Sequence, residues 1–252
     1  MDLGLKGKKV ILTGGSRGIG RAALEIFARE GADIAFFSRK PEQVAEAVAS
    51  LSQHGGKVFG EAFDLNDFDA YPAWLTRAAD TLGGCDIFIP GASSSGAQLT
   101  GDWEAAFKYD VMGAVKGCEA LEPYLAASGA GSVVFMASTA ATETFIMPQA
   151  FNAMKAALLT YAKQLGQAWG PKGIRINTVS PGPIFFEGGN WDGIKQHMPD
   201  VFNATQAQMV LGRFGVAEDV AKTLVFLASP ASGFTTGTNV VVDGGYTKRV
   251  QF

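Results

Sequence analysis

Hydrophobic residues along the chain fall into short continuous runs, and segments with helical spacing separate these runs. The first run, Lys9 to Thr13, is apolar and ends in glycines, which predicts a buried strand. From Gly18 to Glu30 the apolar residues recur at helical spacing and Gly31 follows, which predicts a helix. The predicted strands span residues 9–13, 34–37, 57–63, 86–89, 132–137, 174–179 and 239–242, and the predicted helices span residues 18–30, 41–53, 68–82, 102–126, 149–169 and 217–228.

The predicted strands are nearly uninterrupted apolar runs, without polar residues at alternate positions. Strands of this kind are buried on both faces, which predicts a parallel sheet with helices on each side. We therefore expect an α/β protein: one doubly wound Rossmann-type domain over residues 1–252, with about seven strands. Only the stretch from Pro183 to Arg213 breaks the alternation. A connection of that length is usually functional.

Composition narrows the possible functions. The 252 residues are 47% hydrophobic and 18% charged and carry a net charge of −3, so we expect a folded chain without the basic surface that binds nucleic acid or anionic lipid. Cys85, Cys118, His54 and His197 are far apart in sequence, which argues against a zinc site and predicts free thiols. The sequence has neither an apolar run of membrane-spanning length nor a signal-peptide core. We expect a cytoplasmic protein without a metal site.

Glycine is the exception to this ordinary composition, with 32 residues. Three of them, Gly14, Gly18 and Gly20, lie between the first predicted strand and the first predicted helix. Glycines let the backbone approach a pyrophosphate closely, and the following helix directs its free N–H groups at the phosphate. The position of the loop therefore predicts a dinucleotide site.

The motif Thr-Gly-x-x-x-Gly-x-Gly at 13–20 resembles the classical short-chain dehydrogenase/reductase family. The likeness continues through Asp64-Leu65, through the segment 177–184 and through the segment 236–245, so it covers nearly the whole chain. It implies a seven-stranded Rossmann sheet, a homotetramer and a substrate covered by the segment 183–213. It also implies that the cofactor is bound by Gly14, Ser16, Arg17, Gly18, Ile19, Gly20, Ser38, Arg39, Asp64, Leu65, Gly91, Ala92, Lys155, Pro181, Gly182 and Ile184.

The end of the second predicted strand indicates which cofactor is bound. NAD enzymes place a carboxylate there for the ribose 2′-hydroxyl, whereas a 2′-phosphate needs an arginine. This chain has Ser38-Arg39-Lys40 and no acid at the turn, and Arg17 adds a second cation. We therefore expect NADP(H) in preference to NAD(H). The alternative is that both arginines are merely solvated surface residues.

The catalytic positions depart from the family pattern, which consists of a Ser, a Tyr, a Lys four residues after the Tyr, and an Asn in the central helix. Ser138 and Lys155 fit the first and third positions. Counting from both residues places Phe151 where the resemblance implies the Tyr. Alignment on Trp103 and Gly113 places Asp110 at the Asn position. Asp110 either sustains a water relay through Lys155, pairs with Lys155, or forms an ordinary salt bridge.

Phe151 cannot transfer a proton, and a positioned general acid contributes roughly 10²–10⁴-fold to the rate. Three explanations stay open: an introduced substitution, a natural loss that leaves a cofactor-binding protein, or a different acid. Residues near the site in sequence that carry a suitable group are Thr139, Thr142, Glu143 and His197.

The sequence thus predicts an NADP(H)-dependent oxidoreductase that interconverts a hydrophobic ketone and a secondary alcohol, with reduced activity in this chain. The alternative is a catalytically silent NADP(H)-binding protein with a structural or regulatory role. The hydrophobic preference depends on an apolar pocket. Its candidate lining residues are Phe145, Ile146, Met147, Phe185, Phe186 and Trp191.

Overall fold

The computed structural model describes residues 1–94, 102–144, 149–248 and 250, and it forms one seven-stranded sheet. All the strand pairs are parallel, and the strand order is β3-β2-β1-β4-β5-β6-β7. This arrangement confirms the predicted doubly wound α/β fold. The strands are β1 (Lys9–Thr13), β2 (Asp33–Ser38), β3 (Val58–Ala62), β4 (Ile87–Ile89), β5 (Ser132–Met136), β6 (Arg175–Pro181) and β7 (Asn239–Val242).

Helices cover both faces of the sheet. They are α1 (Gly18–Arg29), α2 (Pro41–Leu51), α3 (Tyr71–Leu82), α4 (Trp103–Ala106), α5 (Gly113–Ala127), α6 (Ala150–Trp169), α7 (Asn190–His197), α8 (Pro199–Gln208) and α9 (Ala217–Ala228). Among the helices that the structure describes, none combines the length and the apolar character that a membrane crossing needs.

The central strand β1 explains why the sheet is covered on both sides. Val10 and Leu12 pack into a hydrophobic core that includes residues of α1, α2 and α9, whereas Ile11 packs into a second core with α3, α5 and α6. Successive side chains of a strand point to opposite faces, so an uninterrupted apolar run fills both cores at once. The edge strands β3 and β7 are only half-buried, because each has a neighbour on one side only.

The predicted helix 102–126 is wrong as a single helix. The structure divides it into α4, a π-helical turn at Phe107–Met112, and α5. A π-helical turn contains one residue more per turn than an α-helix, which changes the direction of the side chains that follow, and such turns are frequent at functional sites. Asp110 lies on this turn and is buried.

The long connection after β6 contains two helices, α7 and α8, that the sequence patterns did not predict. Its two ends are joined where Phe185 N donates to Gly215 O (2.8 Å) and Gly215 N donates to Pro183 O (3.1 Å). Inside the connection, the ring of Phe202 lies 4.4 Å from that of Phe214 and 6.0 Å from that of Phe185 (centroid distances). The segment therefore has a small aromatic core of its own.

Candidate active site

The predicted cofactor residues other than Lys155 lie at or near the carboxyl ends of β1 to β6, and Asp110, Phe151 and Lys155 lie on helical segments. The chain order reverses between β1 and β4, and the crevice at such a reversal is where open α/β sheets bind ligands. Parallel strands place all their carboxyl ends at the same edge. The glycine loop, the loop after β4 and the turn after β5 therefore meet there, although they are far apart in sequence.

The glycine loop fits a phosphate group. Gly14 and Gly18 have φ angles of +81° and +57°, which favour glycine. A Cβ atom on Gly20 would lie 2.8 Å from the carbonyl oxygen of Gly14, so a side chain there would displace the loop. The residue before α1, Arg17, does not cap the helix with its side chain, and the first turn contains no acid. The first N–H groups of α1 are thus not bonded to a capping side chain.

Thr13 connects the glycine loop to the loop after β4. Its hydroxyl oxygen accepts hydrogen bonds from Gly91 N (3.0 Å) and Ala92 N (3.1 Å). A Cβ on Gly14 would come within 3.1 Å of Ala92, so the two loops are in close contact. Thr13 was not among the predicted site residues, because its place in the motif does not show what its hydroxyl contacts.

The predicted ribose and adenine residues lie at and just after the ends of β2 and β3, where Ser38 contacts the glycine loop. Ser16 and Ser38 share a hydrogen bond (2.7 Å between their hydroxyl oxygens), and Ser16 also donates to Gln43 Oε1 (3.1 Å). Leu65 is buried, whereas Arg39 and Asp64 are exposed. Burial and the Asp64 carboxylate raise the pKa of Tyr109, and the Arg39 guanidinium lowers it by less. Arg39, Asp64 and Tyr109 therefore influence one another electrostatically at this end of the site.

Arg17, in the glycine loop, contacts the segment that follows β6. Its Nη1 donates to the carbonyl oxygen of Gly188 (3.1 Å), in the segment 183–213. Beside it, the space that a Cβ on Gly18 would need is filled by the ring of Phe186, whose Cζ would lie 2.8 Å away. Arg17 and Phe186 thus join the glycine loop to the segment after β6.

The segment under the predicted nicotinamide position is held by β7. Gly182 N donates to Val242 O (3.0 Å), and a Cβ on Gly182 would lie 2.4 Å from that of Asp243. Ile184 is buried and pairs with Gly215. The absence of a side chain at Gly182 therefore lets the two strand ends approach each other.

Lys155, Asp110 and Phe151 come together on the other side of the crevice. Lys155 Nζ lies 3.0 Å from Asp110 Oδ1 and donates to Met136 O (2.9 Å). The side chains of Lys155 and Asp110 are 7% and 0% exposed. Phe151 precedes Lys155 by one helical turn, and Lys155 Nζ lies 5.3 Å from the centre of its ring. The ion pair confirms one of the alternatives considered for Asp110.

Two serines complete the surroundings of Asp110. The Ser93 hydroxyl donates to Oδ1, and both the hydroxyl and the N–H (3.2 Å) of Ser94 donate to Oδ2. Burial alone raises the pKa of Asp110, but the Lys155 charge and the hydrogen bonds from Ser93, Ser94 and Lys155 outweigh it, so the pKa is lowered. The carboxylate is ionised at neutral pH. Sequence reasoning did not identify Ser94.

Ser138 lies two residues after the end of β5 and begins a 3-10 turn at Thr139–Ala141 that packs against α6. Its side-chain oxygen accepts from Ala140 N (3.1 Å), which fixes the side chain at the sheet edge. The structure thus brings Ser138 to the helix that carries Phe151 and Lys155.

The other predicted acids have different surroundings. The Thr142 hydroxyl donates to Thr139 O (3.1 Å), and His197 is exposed at the end of α7. Glu143 is partly buried. Burial and the Glu143 carboxylate both raise the pKa of Tyr246.

Three candidate pocket residues, Phe145, Ile146 and Met147, lie outside the described residues. Of the other three, Phe185 lies beside Phe202, and the Trp191 ring centre lies 4.9 Å from that of Phe214. These two side chains pack within their own segment. Phe186 is the described candidate that contacts the glycine loop.

Comparison with known proteins gives matches along almost the whole chain. Residues 14–247 match the family model described as enoyl-(acyl carrier protein) reductase. The chain is 35% identical to isoepoxydon dehydrogenase of Penicillium expansum over 257 residues, covering 100% of this chain and 99% of that protein. It is 32% identical to D-threitol dehydrogenase of Mycolicibacterium smegmatis over 253 residues, covering 98% and 95%.

A solved structure of similar fold is L-sorbose reductase from Gluconobacter frateurii, complexed with NADPH and L-sorbose. Its TM-score is 0.89 at 29% identity, and the match covers 99% of this chain and 100% of that chain.

Proposed function

Because the chain belongs to the classical short-chain dehydrogenase/reductase family, a family of oxidoreductases, we propose that it is an NADP(H)-dependent enzyme that interconverts a carbonyl compound and an alcohol. The contact between Phe151 and Lys155 supports the more specific proposal that the activity is reduced. Phe151 takes the place of the acid, so this chain has much lower activity than a variant with a tyrosine there.

Several contacts support NADP(H) as the cofactor. The glycine loop and the uncapped start of α1 suit a pyrophosphate, and the solved relative L-sorbose reductase is complexed with NADPH. When bound, the nicotinamide supplies or accepts the hydride. Arg39 is exposed beside Ser38 at the end of β2, where a guanidinium can bind a 2′-phosphate. Arg17 already donates to Gly188, so we assign the 2′-phosphate chiefly to Arg39.

The chain's own groups have distinct roles in this proposal. Lys155 binds the ribose of the cofactor with its remaining N–H, and Ser138 hydrogen-bonds to the substrate oxygen. Asp110 holds Lys155 in place through their ion pair. The phenyl ring of Phe151 has no acidic hydrogen, so the proton that the substrate oxygen needs arrives slowly. A lost general acid reduces the rate by roughly 10²–10⁴-fold.

The segment 183–213 is the proposed cover of the substrate, since it contacts the glycine loop through Arg17 and Phe186. We propose a hydrophobic ketone and its secondary alcohol as substrates, on the basis of the aromatic residues of this segment. The relatives named for threitol and sorbose favour a polyhydroxylated substrate instead. A panel of alicyclic and aromatic ketones beside ketoses distinguishes the two, since the first class should react faster if the segment selects apolar groups.

For the assembly, we propose a single-domain chain that forms a cytoplasmic homotetramer, as the family resemblance implies. Light scattering on the purified protein tests this, and a monomeric mass would contradict it.

A second candidate is a cofactor-binding protein without catalytic activity. Phe151 and the ion pair of Lys155 favour it, because both reduce the ability of the site to transfer a proton. Tight NADPH binding without turnover by either this chain or Phe151→Tyr would support this candidate.

The experiment that tests the proposal is NADPH oxidation over the ketone panel by the wild-type chain and by Phe151→Tyr. We expect a gain of at least ~10² when the hydroxyl is restored. Phe234→Tyr is the matched control, because Phe234 is fully exposed and its hydroxyl would meet only solvent. No gain in Phe151→Tyr, with NADPH still bound, would refute the proposal.

A further inference from the structure

The buried ion pair of Lys155 and Asp110 sets the net charge of the catalytic side. Lys155 Nζ lies 3.0 Å from Asp110 Oδ1, and the two side chains are 7% and 0% exposed. Salt and solvent screen a buried pair much less than an exposed one. The pair as a whole carries no net charge, whereas a lysine beside a neutral side chain would carry a full positive charge.

Hydrogen bonds keep the Asp110 carboxylate in its charged form. The Ser93 hydroxyl donates to Oδ1, and the hydroxyl and the N–H of Ser94 donate to Oδ2. Burial raises the pKa of Asp110, but the Lys155 charge and these hydrogen bonds outweigh it, so the pKa lies below its ordinary value. The negative charge is therefore present at neutral pH.

The charged side chains of the neighbouring elements have other surroundings. Glu104 of α4 is exposed, and the amine of Lys108, on the π-helical turn, donates to a backbone carbonyl oxygen after β3 (3.1 Å). The 3-10 turn at Thr139–Ala141 has no charged side chain. In the part of the chain that the structure describes, Asp110 is the only residue that forms an ion pair with Lys155.

The net charge of the pair matters because the two forms of the cofactor differ in charge at the nicotinamide. The ring is a cation in NADP⁺ and is neutral in NADPH. In the proposed function Lys155 binds the ribose that carries this ring, so the ion pair is close to it. An ammonium group without a counter-charge would repel the oxidised ring and would affect the neutral ring much less.

We propose that Asp110 sets the balance between the oxidised and the reduced cofactor, because its carboxylate cancels the charge of Lys155. This inference rests on the proposed function. It predicts that the site retains NADP⁺, the cofactor product of ketone reduction, more tightly than the same site would with a neutral residue at position 110. The effect concerns the nicotinamide alone, so the affinity for the adenosine part of the cofactor should not depend on Asp110.

The test is Asp110→Asn, with isothermal titration calorimetry of NADP⁺, NADPH and 2′-phospho-ADP-ribose, which lacks the nicotinamide. We expect the ratio of the NADP⁺ to the NADPH dissociation constant to rise by about tenfold or more. The affinity for 2′-phospho-ADP-ribose should stay within about threefold of the wild type. Glu104→Gln is the matched control: it removes an exposed carboxylate from the helix before the π-helical turn, and the ratio should not change.

Two results with Asp110→Asn would overturn the proposal. An unchanged ratio would show that the charge of Asp110 does not reach the nicotinamide. An equal loss of affinity for all three ligands would show that the substitution distorts the crevice as a whole and has no selective effect on the oxidised ring.

A second variant covers the case in which Asp110→Asn does not fold. Asp110→Asn combined with Lys155→Met removes both charges and leaves no buried charge without a partner. Both cofactor forms lose the contact of Lys155 with the ribose, so the ratio is the quantity to compare. We expect it to stay within about threefold of the wild type. A shift of the ratio in favour of NADP⁺ would overturn the proposal, because the charge of Lys155 would then not be cancelled in the wild type.

The wild-type titrations separate the two levels of inference. If the wild type binds none of the three ligands, the proposed function itself fails, and this proposal fails with it. If the wild type binds all three and Asp110→Asn has the same ratio, only the role of Asp110 is wrong and the proposed function stands.

Discussion

The two sides of the crevice are built differently. The glycine loop and the loop after β4 form the cofactor side, and Asp110, Phe151 and Lys155 form the catalytic side. The cofactor side depends mainly on backbone: Gly14, Gly18 and Gly20 provide close approach, and Thr13 binds two backbone N–H groups. The catalytic side depends on individual side chains, and we propose that Phe151 and Asp110 depart there from the family pattern. In the proposed function, the nucleotide site is preserved and one missing oxygen atom removes most of the chemistry.

The largest effect is expected from Lys155→Met. It removes one partner of a buried ion pair and leaves the Asp110 carboxylate without its counter-charge, so we expect a loss of about 3–5 kcal/mol in the free energy of unfolding. Urea denaturation measures this. Lys163→Met on the same helix is the control and should stay within about 0.5 kcal/mol of the wild type. A similar loss in both variants would mean that the ion pair is not responsible.

Gly20→Ala should impair the cofactor side alone. Its Cβ would lie 2.8 Å from the Gly14 carbonyl oxygen, so the loop must move. We expect NADPH affinity to fall by tenfold or more, which corresponds to at least ~1.4 kcal/mol. Gly193→Ala is the control, since a Cβ there meets nothing within 4 Å. Unchanged affinity in Gly20→Ala would show that the phosphate does not depend on this loop.

Arg39→Ala tests the choice between the two cofactors. Loss of a charge-assisted hydrogen bond costs about 1.5–3 kcal/mol, so NADPH affinity should fall roughly 10- to 150-fold while NADH affinity stays constant. Arg17→Ala should have a smaller effect on this ratio, because Arg17 contacts Gly188. Equal losses for NADPH and NADH in Arg39→Ala would contradict our assignment of the 2′-phosphate.

The smallest effect is the contribution of Asp110 to acid stability. Burial raises its pKa but is outweighed by Lys155 and the serines, so the folded pKa lies below the usual value. The stability that this provides is complete above the unfolded pKa of about 3.9 and is lost as the pH falls through the folded value. Urea unfolding between pH 3 and pH 6 should therefore show a steeper acid loss in the wild type than in Asp110→Asn. Parallel curves would contradict the ion pair.

The apolar pattern of the sequence predicts the strands of the sheet better than it predicts the helices of the connection after β6. The apolar runs of β1, β5 and β6 predict the sheet well, because burial on both faces requires such runs. The helices α7 and α8 escaped prediction. Asn190–His197 has no buried residue and therefore no apolar periodicity to detect.

Contacts between distant parts of the chain explain the remaining differences. The π-helical turn at Phe107–Met112 adds a residue to a helix whose apolar pattern continues through it, so spacing alone predicts one long helix. Motif spacing identified Asp110, Phe151 and Lys155. It did not identify Ser94 or the hydroxyl contacts of Thr13, because these depend on which loops meet at the sheet edge.

The central claim is that the cofactor side is complete and the catalytic side lacks its acid. The most direct measurement compares kcat and the NADPH dissociation constant of the wild type with those of Phe151→Tyr. We predict that kcat rises by at least ~10² while the dissociation constant changes by less than about threefold. An unchanged kcat with NADPH bound equally well would contradict the claim, because the hydroxyl would then not be what the site lacks.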